Sequence, residues 1–255
     1  MFETLKKTFE SAKENIGFIA VCIGVFAGLL LVAWLFERLL VKNRKKFSDT
    51  HYITYTALFS CMAAVLMLLE IPLFFAPSFY KMDLSELPIM ICTFYLGPVS
   101  GVVAELIKVF LKLVLKGTTT AFVGDFANFA VGCAFVLPAS VVYHAKPGKK
   151  TALIGLGVGT LIMTVFGSAF NALYLIPKFA QLFHMELDSI IAMGTEVNGH
   201  ITSLSTLVLY AVVPFNLLKG VVVSLLTFLL YKYISPILHL NDSRRGTKRL
   251  QKGDK

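Results

Sequence analysis

Charge is scarce in this chain: Asp, Glu, Lys and Arg make up only 15% of its 255 residues, whereas 56% are hydrophobic. Soluble domains carry about 25% charged residues, so a water-soluble globule is excluded on composition. Several apolar runs exceed the roughly 18 residues that cross a bilayer as a helix. They lack the apolar/polar alternation, about ten residues at a time, of outer-membrane barrel strands. Lipid offers backbone groups no partners, which leaves a helical bundle. The chain therefore reads as an all-α integral membrane protein.

Motifs for chemistry are equally sparse. Gly148-Lys149-Lys150-Thr151 lacks the upstream glycine of a G-x-x-x-x-G-K-[ST] loop, so the chain is not expected to hydrolyse ATP itself. There is no H-E-x-x-H pair and no G-x-S-x-G elbow. The histidines (His51, His144, His184, His200, His239) fall in loops or helix ends without ligand spacing, and Cys22, Cys61, Cys92 and Cys133 stand singly in apolar runs. Neither a metal site nor a disulfide framework follows. The expectation is a binding protein, not an enzyme, with no cofactor and no metal.

The net charge of +9 comes from Lys and Arg gathered at residues 41–46, 146–150 and 244 onward, the flanks of hydrophobic runs. The positive-inside rule accounts for them and puts those flanks in the cytoplasm, so nucleic acid is not an expected partner. Residues 16–40 form an apolar helix without a small-residue cleavage site, a membrane span and not a signal peptide. Its C-terminal end is then cytoplasmic and the N-terminus outside.

Six further helices are expected: residues 52–71, a short one from Asp83 to Leu96 ended by Gly97-Pro98, 99–115, 123–143, 151–176 and 205–234. Three units follow: residues 1–46, an extra N-terminal helix with a basic linker; 47–238, a six-helix membrane domain; and 239–255, a basic cytoplasmic tail expected to be disordered. Residues 73–82 form an aromatic-rich outer loop, and the long amphipathic connection 178–203 reads as a lid. Ala57, Ser60, Cys61 and Ala64 form a small-residue stripe, suited either to packing inside the bundle or to docking a separate membrane subunit.

Ionisable side chains at membrane depth each cost roughly 2.5–3.5 kcal/mol on insertion scales and so demand a polar cavity or a partner. Asp83, Glu105, Lys108, Lys112, Asp125 and Asn128 are the candidates in residues 79–132. Under the expected topology Lys81, Asp83, Asp125, Asn128, Asn171, Asn216 and Lys219 gather in the outer half, beneath the rings of Phe74, Phe75, Phe79 and Tyr80. Amides and an ammonium suit reversible capture of a flat, polar-edged molecule. The blander readings, Glu105 pairing with Lys108 and the amides bridging helices, stay open.

Seven ordered motifs carry a resemblance: Phe79-Tyr80-Lys81-Met82-Asp83-Leu84-Ser85, Leu96-Gly97-Pro98, Lys116-Gly117-Thr118-Thr119-Thr120-Ala121, Gly124-Asp125-Phe126-Ala127-Asn128-Phe129, Phe170-Asn171-Ala172-Leu173-Tyr174, Ile191-Ala192-Met193-Gly194 and Pro214-Phe215-Asn216-Leu217-Leu218-Lys219-Gly220. Over residues 54–238 the chain resembles the S components of energy-coupling factor (ECF) transporters, specifically the riboflavin-specific, RibU-type members. The resemblance implies a six-helix bundle, here with one extra N-terminal helix, that captures riboflavin from outside a bacterial plasma membrane. A separate coupling subunit and two ATPase subunits would drive delivery. It implies substrate contacts from Asn171, Asn216 and Lys219, with Lys81, Asp83, Phe79, Leu84 and Asn128 around them, and docking of the coupling subunit on Ala57, Ser60, Cys61 and Ala64. Tyr80 stands where a smaller aliphatic residue is expected. The competing readings are an S component for another vitamin or nucleobase-like compound, and a membrane enzyme using Asp125 or Glu105 as acid or base.

Overall fold

The computed structural model describes residues 16–41, 49–77, 79–118, 120, 122–231 and 233. Residues 1–15, the basic cluster before Asp49 and the expected C-terminal tail lie outside the described residues.

Helix α1 (Ile16–Leu40) is followed by α2 (Thr50–Leu68), whose first turn is capped by the Asp49 carboxylate accepting from His51 N at 3.2 Å. The outer loop then folds as a small antiparallel pair, β1 (Ile71–Pro72) against β2 (Lys81–Met82), with Ile71 opposite Met82. Helix α3 (Glu86–Leu96) has 11 residues, about 16 Å of rise, which is half a bilayer. Gly97, at φ 120°, and Pro98 at the first helical turn switch the chain directly into α4 (Pro98–Lys116).

Helices α5 (Val123–Ala145) and α6 (Lys149–Phe170) pack at backbone contact. A Cβ on Gly155 would lie 2.6 Å from the Ala139 carbonyl oxygen, and one on Gly159 2.6 Å from that of Phe135. Any larger residue at those two positions would push the helices apart. Helix α6 continues through a π-helical turn (Asn171–Leu175) into Ile176–Leu182, then comes α7 (Leu187–Val197), and the last span, α8, runs over Leu204–Tyr231 with a second π turn at Val208–Val212. Both π turns end two residues before a proline, Pro177 and Pro214. Proline removes one i→i−4 bond and crowds the preceding turn, and widening that turn relieves both.

Of the described helices, α1, α2, α5, the α6 stretch and α8 are long and apolar enough to cross a membrane. Helix α4 has the length, 19 residues, but carries Glu105, Lys108, Lys112 and Lys116. Its charged face is the reason the bundle needs an internal polar seam.

Three clusters frame that seam. On the side of the α5–α6 turn, Met90, Phe94, Phe135, Tyr143, Leu156, Met163 and Tyr231 form the main core, with the Tyr143 and Tyr231 hydroxyls 2.7 Å apart. Along one flank α1 lays Ala33, with Phe26, Leu29 and Leu30, against Val99, Val102, Phe129 and Cys133 of α4 and α5. Over the opposite end, Leu73, Phe75, Ala76 and Tyr80 of the outer loop pack with Ile176, Ile190, Ile201 and Leu207. The aromatic loop and the long connection thus form one cover.

Candidate functional site

Beneath the cover runs a chain of buried ions. Lys219 Nζ of α8 lies 3.0 Å from Asp83 Oδ2 and 3.6 Å from Glu86 Oε1, and Lys108 Nζ of α4 lies 3.0 Å from that same Glu86 oxygen and 2.6 Å from Glu105 Oε2. All five residues are buried, Glu105 and Lys108 completely. Glu86 is the joint of this chain, shared by both ammonium groups. The start of α3 is placed by Asp83, whose carboxylate accepts from Ser85 N at 2.9 Å and from the Ser85 hydroxyl. That turn aims Asp83 and Glu86 at the same lysine. Glycine at 132 makes room, since a Cβ there would sit 2.7 Å from the Glu105 carboxylate.

The two amides meet at the wall of α6. Asn171 opens the first π turn; its Nδ2 donates to the Gly167 carbonyl at 2.7 Å and its Oδ1 accepts from the Tyr80 hydroxyl at 2.8 Å. Asn216 follows Pro214 on α8, and its Nδ2 lies 3.0 Å from where a Gly167 Cβ would be. Gly167 therefore stands between the amides, touching both. Among the described residues the buried Asn216 Nδ2 and Ser168 Oγ have no hydrogen-bond partner. A buried donor left unpaired costs about 1–3 kcal/mol, which marks this as a place suited to an incoming acceptor. Lys219 sits one helical turn beyond Asn216, on the same face.

The remaining expected residues are distributed around this centre. Lys81 is not in it: its ammonium pairs with Glu70 at 2.9 Å on the exposed rim, where Lys116 also reaches Glu70 at 2.6 Å. Partial burial raises the Glu70 carboxyl, and the two ammonium groups outweigh it and hold it below the usual glutamate range. Phe79 is 39% exposed and lies against Tyr80 and Phe179, with ring centroids 4.7 and 6.4 Å away. Leu84 packs on the main core. Asp125 is held by Lys112 at 2.5 Å and Thr118 at 2.8 Å, so it braces the end of α4 instead of joining Asn171. Asn128 is half-buried on the α5 face that also carries Asp125 and Gly132.

The small-residue stripe divides. Ala57 and Cys61 face outward, whereas Ser60 and Ala64 are buried, Ser60 donating to the Thr56 carbonyl at 2.6 Å. Ser60 and Ala64 face the bundle interior, so an outer docking stripe narrows to the other two.

Three residues escaped sequence reasoning. Glu86 is absent from the expected candidates, and only the fold aims it between Lys108 and Lys219. Tyr80 looked like a ring surface, yet it also carries the hydroxyl on Asn171. Glu37 of α1 lies 91% buried, its carboxylate accepting from Val99 N at 3.0 Å at the start of α4. The extra helix is thereby tied to the Gly97-Pro98 switch.

A groove of about 590 Å³ lies elsewhere, between α1, α5 and α6, lined by Leu29, Phe36, Ala134, Leu137, Val158 and Ile162. Its walls are apolar and it does not touch the ion chain.

Comparison with known proteins identifies the family. Residues 51–231 match the family model of the ECF transporter substrate-specific component. The riboflavin transporter RibU of Staphylococcus aureus (strain TCH60) is 31% identical over 182 residues, 71% of this chain and 89% of that one. The riboflavin transporter FmnP of Bacillus subtilis (strain 168) is 29% identical over 185 residues, 72% and 92% of the two chains. A solved S component of a bacterial ECF transporter superposes with a TM-score of 0.59 at 28% identity, covering 75% of this chain and 99% of that one. The matched region begins at α2 and leaves α1 outside it. The chain belongs to the family of ECF transporter substrate-specific components.

Proposed function

We propose that this chain is the riboflavin-binding S component of an ECF-type vitamin importer in a bacterial plasma membrane, capturing the vitamin from outside and delivering it inward. The observation that carries the reading is the buried Asn216 Nδ2, without a partner among the described residues, beside Asn171 and one turn from Lys219. An imide-edged ring alternates carbonyl acceptors with an N–H donor. Asn216 Nδ2 and Lys219 Nζ donate to such an edge, and Asn171 Oδ1 accepts from it. Phe79, Tyr80, Phe179 and Phe215 supply ring faces, with Leu84 and Asn128 completing the wall. The family and its relatives named as riboflavin transporters support the choice of ligand.

The working cycle uses binding and not bond-making. The outer loop opens for entry and closes again through Asp83 to Lys219, with Lys81 held at the rim by Glu70. A separate membrane coupling subunit docks over Ala57 and Cys61, two ATPase subunits supply the energy, and the bundle topples to release its ligand. The N-terminus lies outside and the C-terminus in the cytoplasm.

Titrating riboflavin into the detergent-purified chain and following flavin emission tests the reading. Saturable quenching at one site per chain is expected, and preparations from riboflavin-containing medium should be yellow. Flavin emission that stays unquenched at micromolar protein overturns riboflavin as the ligand and moves the assignment to another vitamin. Emission of Trp34 is the poorer signal, because that residue sits in α1.

A further inference from the structure

Asn171 is the one of the two site amides that is already satisfied. Its Oδ1 accepts from Tyr80, 91 positions away and borne by the outer loop, at 2.8 Å. The Tyr80 ring rests on Phe215, the neighbour of Asn216, at 5.3 Å, and on Phe79 at 4.7 Å, which in turn faces Phe179. Burial pushes the Tyr80 phenol well above its usual range, so the hydroxyl stays a donor. The loop thus reaches the ligand amide with the same polarity of group, a donor, that an imide N–H would bring.

We propose that Tyr80 is a built-in competitor for the site: its hydroxyl bonds Asn171 Oδ1 and competes with the ligand's own donor for that oxygen. The inference rests on the riboflavin reading for the ligand's identity. Its physical content is local. One hydrogen bond ties the outer loop to α6, and ligand binding exchanges it for another of the same kind. The exchange costs apparent affinity and slows entry, and it favours ligands that carry a donor at that edge over those that do not. With the hydroxyl gone, Asn171 Oδ1 is left open to the ligand and the loop loses one of its ties to α6.

Tyr80→Phe keeps the ring contacts and removes only the hydroxyl. Riboflavin affinity measured by flavin quenching should rise about three- to tenfold, the range of one neutral hydrogen bond, with a faster association rate in stopped flow. In an Asn171→Ala background the same change should have no effect, because the acceptor is gone. Equal or weaker binding by Tyr80→Phe overturns the proposal, as does an unchanged gain in the Asn171→Ala background. Should neither wild type nor variant quench flavin, the riboflavin reading fails, and amide hydrogen exchange over residues 79–84 of the ligand-free proteins judges Tyr80 instead. Faster exchange in Tyr80→Phe supports the tie between loop and helix; identical exchange overturns it.

Discussion

Lys219 and Asp83 stand 136 positions apart in the chain and 3.0 Å apart in the fold, both buried. One belongs to the last span and the other to the outer loop, so their contact fixes the loop over the amides. It also gives Lys219 a structural role beside its proposed one as a ligand donor. Loss of Lys219 leaves Asp83 buried without its ion-pair partner, whereas loss of Asp83 leaves Lys219 with Glu86 at 3.6 Å.

The two donors of α8 should therefore behave differently when removed. Asn216→Ala deletes a group without a partner among the described residues, so it should weaken flavin binding by about 1–1.5 kcal/mol and leave thermal stability unchanged. Lys219→Ala should weaken binding and also destabilise the protein by about 3 kcal/mol, because Asp83 loses its counter-ion. Flavin titration paired with thermal unfolding in detergent separates the two. Equal unfolding temperatures for all three proteins would remove Lys219 from the ion chain.

Lys108 is bracketed by Glu86 and Glu105, completely buried. Lys108→Met should cost about 3–5 kcal/mol, since Glu105 would face Glu86 with no cation between them. Adding Glu105→Gln to that variant should recover part of the loss by removing one of the repelling charges. A double variant as unstable as the single one would show that the lysine acts by filling space and not by charge.

The extra helix is coupled to the bundle at one point that can be probed alone. Glu37→Ala removes the acceptor for Val99 N at the start of α4 and should lower stability by about 1 kcal/mol, the usual size of a helix cap. Flavin affinity should not change, because the amides lie outside that contact. Thermal unfolding and titration of the same preparation check both halves.

Acid should loosen the rim of the outer loop. The Glu70 carboxyl is held below its ordinary value near 4.5 by Lys116 and Lys81, so it binds protons less readily folded than unfolded. Its contribution is complete above pH 4.5 and is lost as pH falls through the lower folded value. Glu70→Gln should abolish that part of the acid sensitivity. Proteolysis of the loop against pH, in wild type and variant, reads it directly.

If the coupling subunit docks on α2, bulky residues at Ala57 or Cys61 should impair uptake while flavin binding by the isolated chain is retained. Leucine at the buried Ser60 or Ala64 should instead reduce stability. Uptake by cells alongside binding by purified protein distinguishes the cases.

Spans, their order and most of their ends were legible in the residues, because apolar run length answers to bilayer thickness alone. The polar seam was legible as a demand: Glu105 and Lys108 had to find partners at membrane depth, and their own pairing was an open reading. That pairing is found, at 2.6 Å, but their further partner was not legible. Glu86 joining Lys108 to Lys219, Tyr80 reaching Asn171, and Glu37 capping α4 each link segments far apart in the chain, through contacts that no local period encodes. The same holds for Lys81, whose place beside polar neighbours in sequence pointed to the site, whereas the register of the small hairpin turns it to Glu70. Hydrophobicity acts along the chain and is read one residue at a time; ion pairs and hydrogen bonds act over about 3 Å, and only packed helices decide which groups come that close.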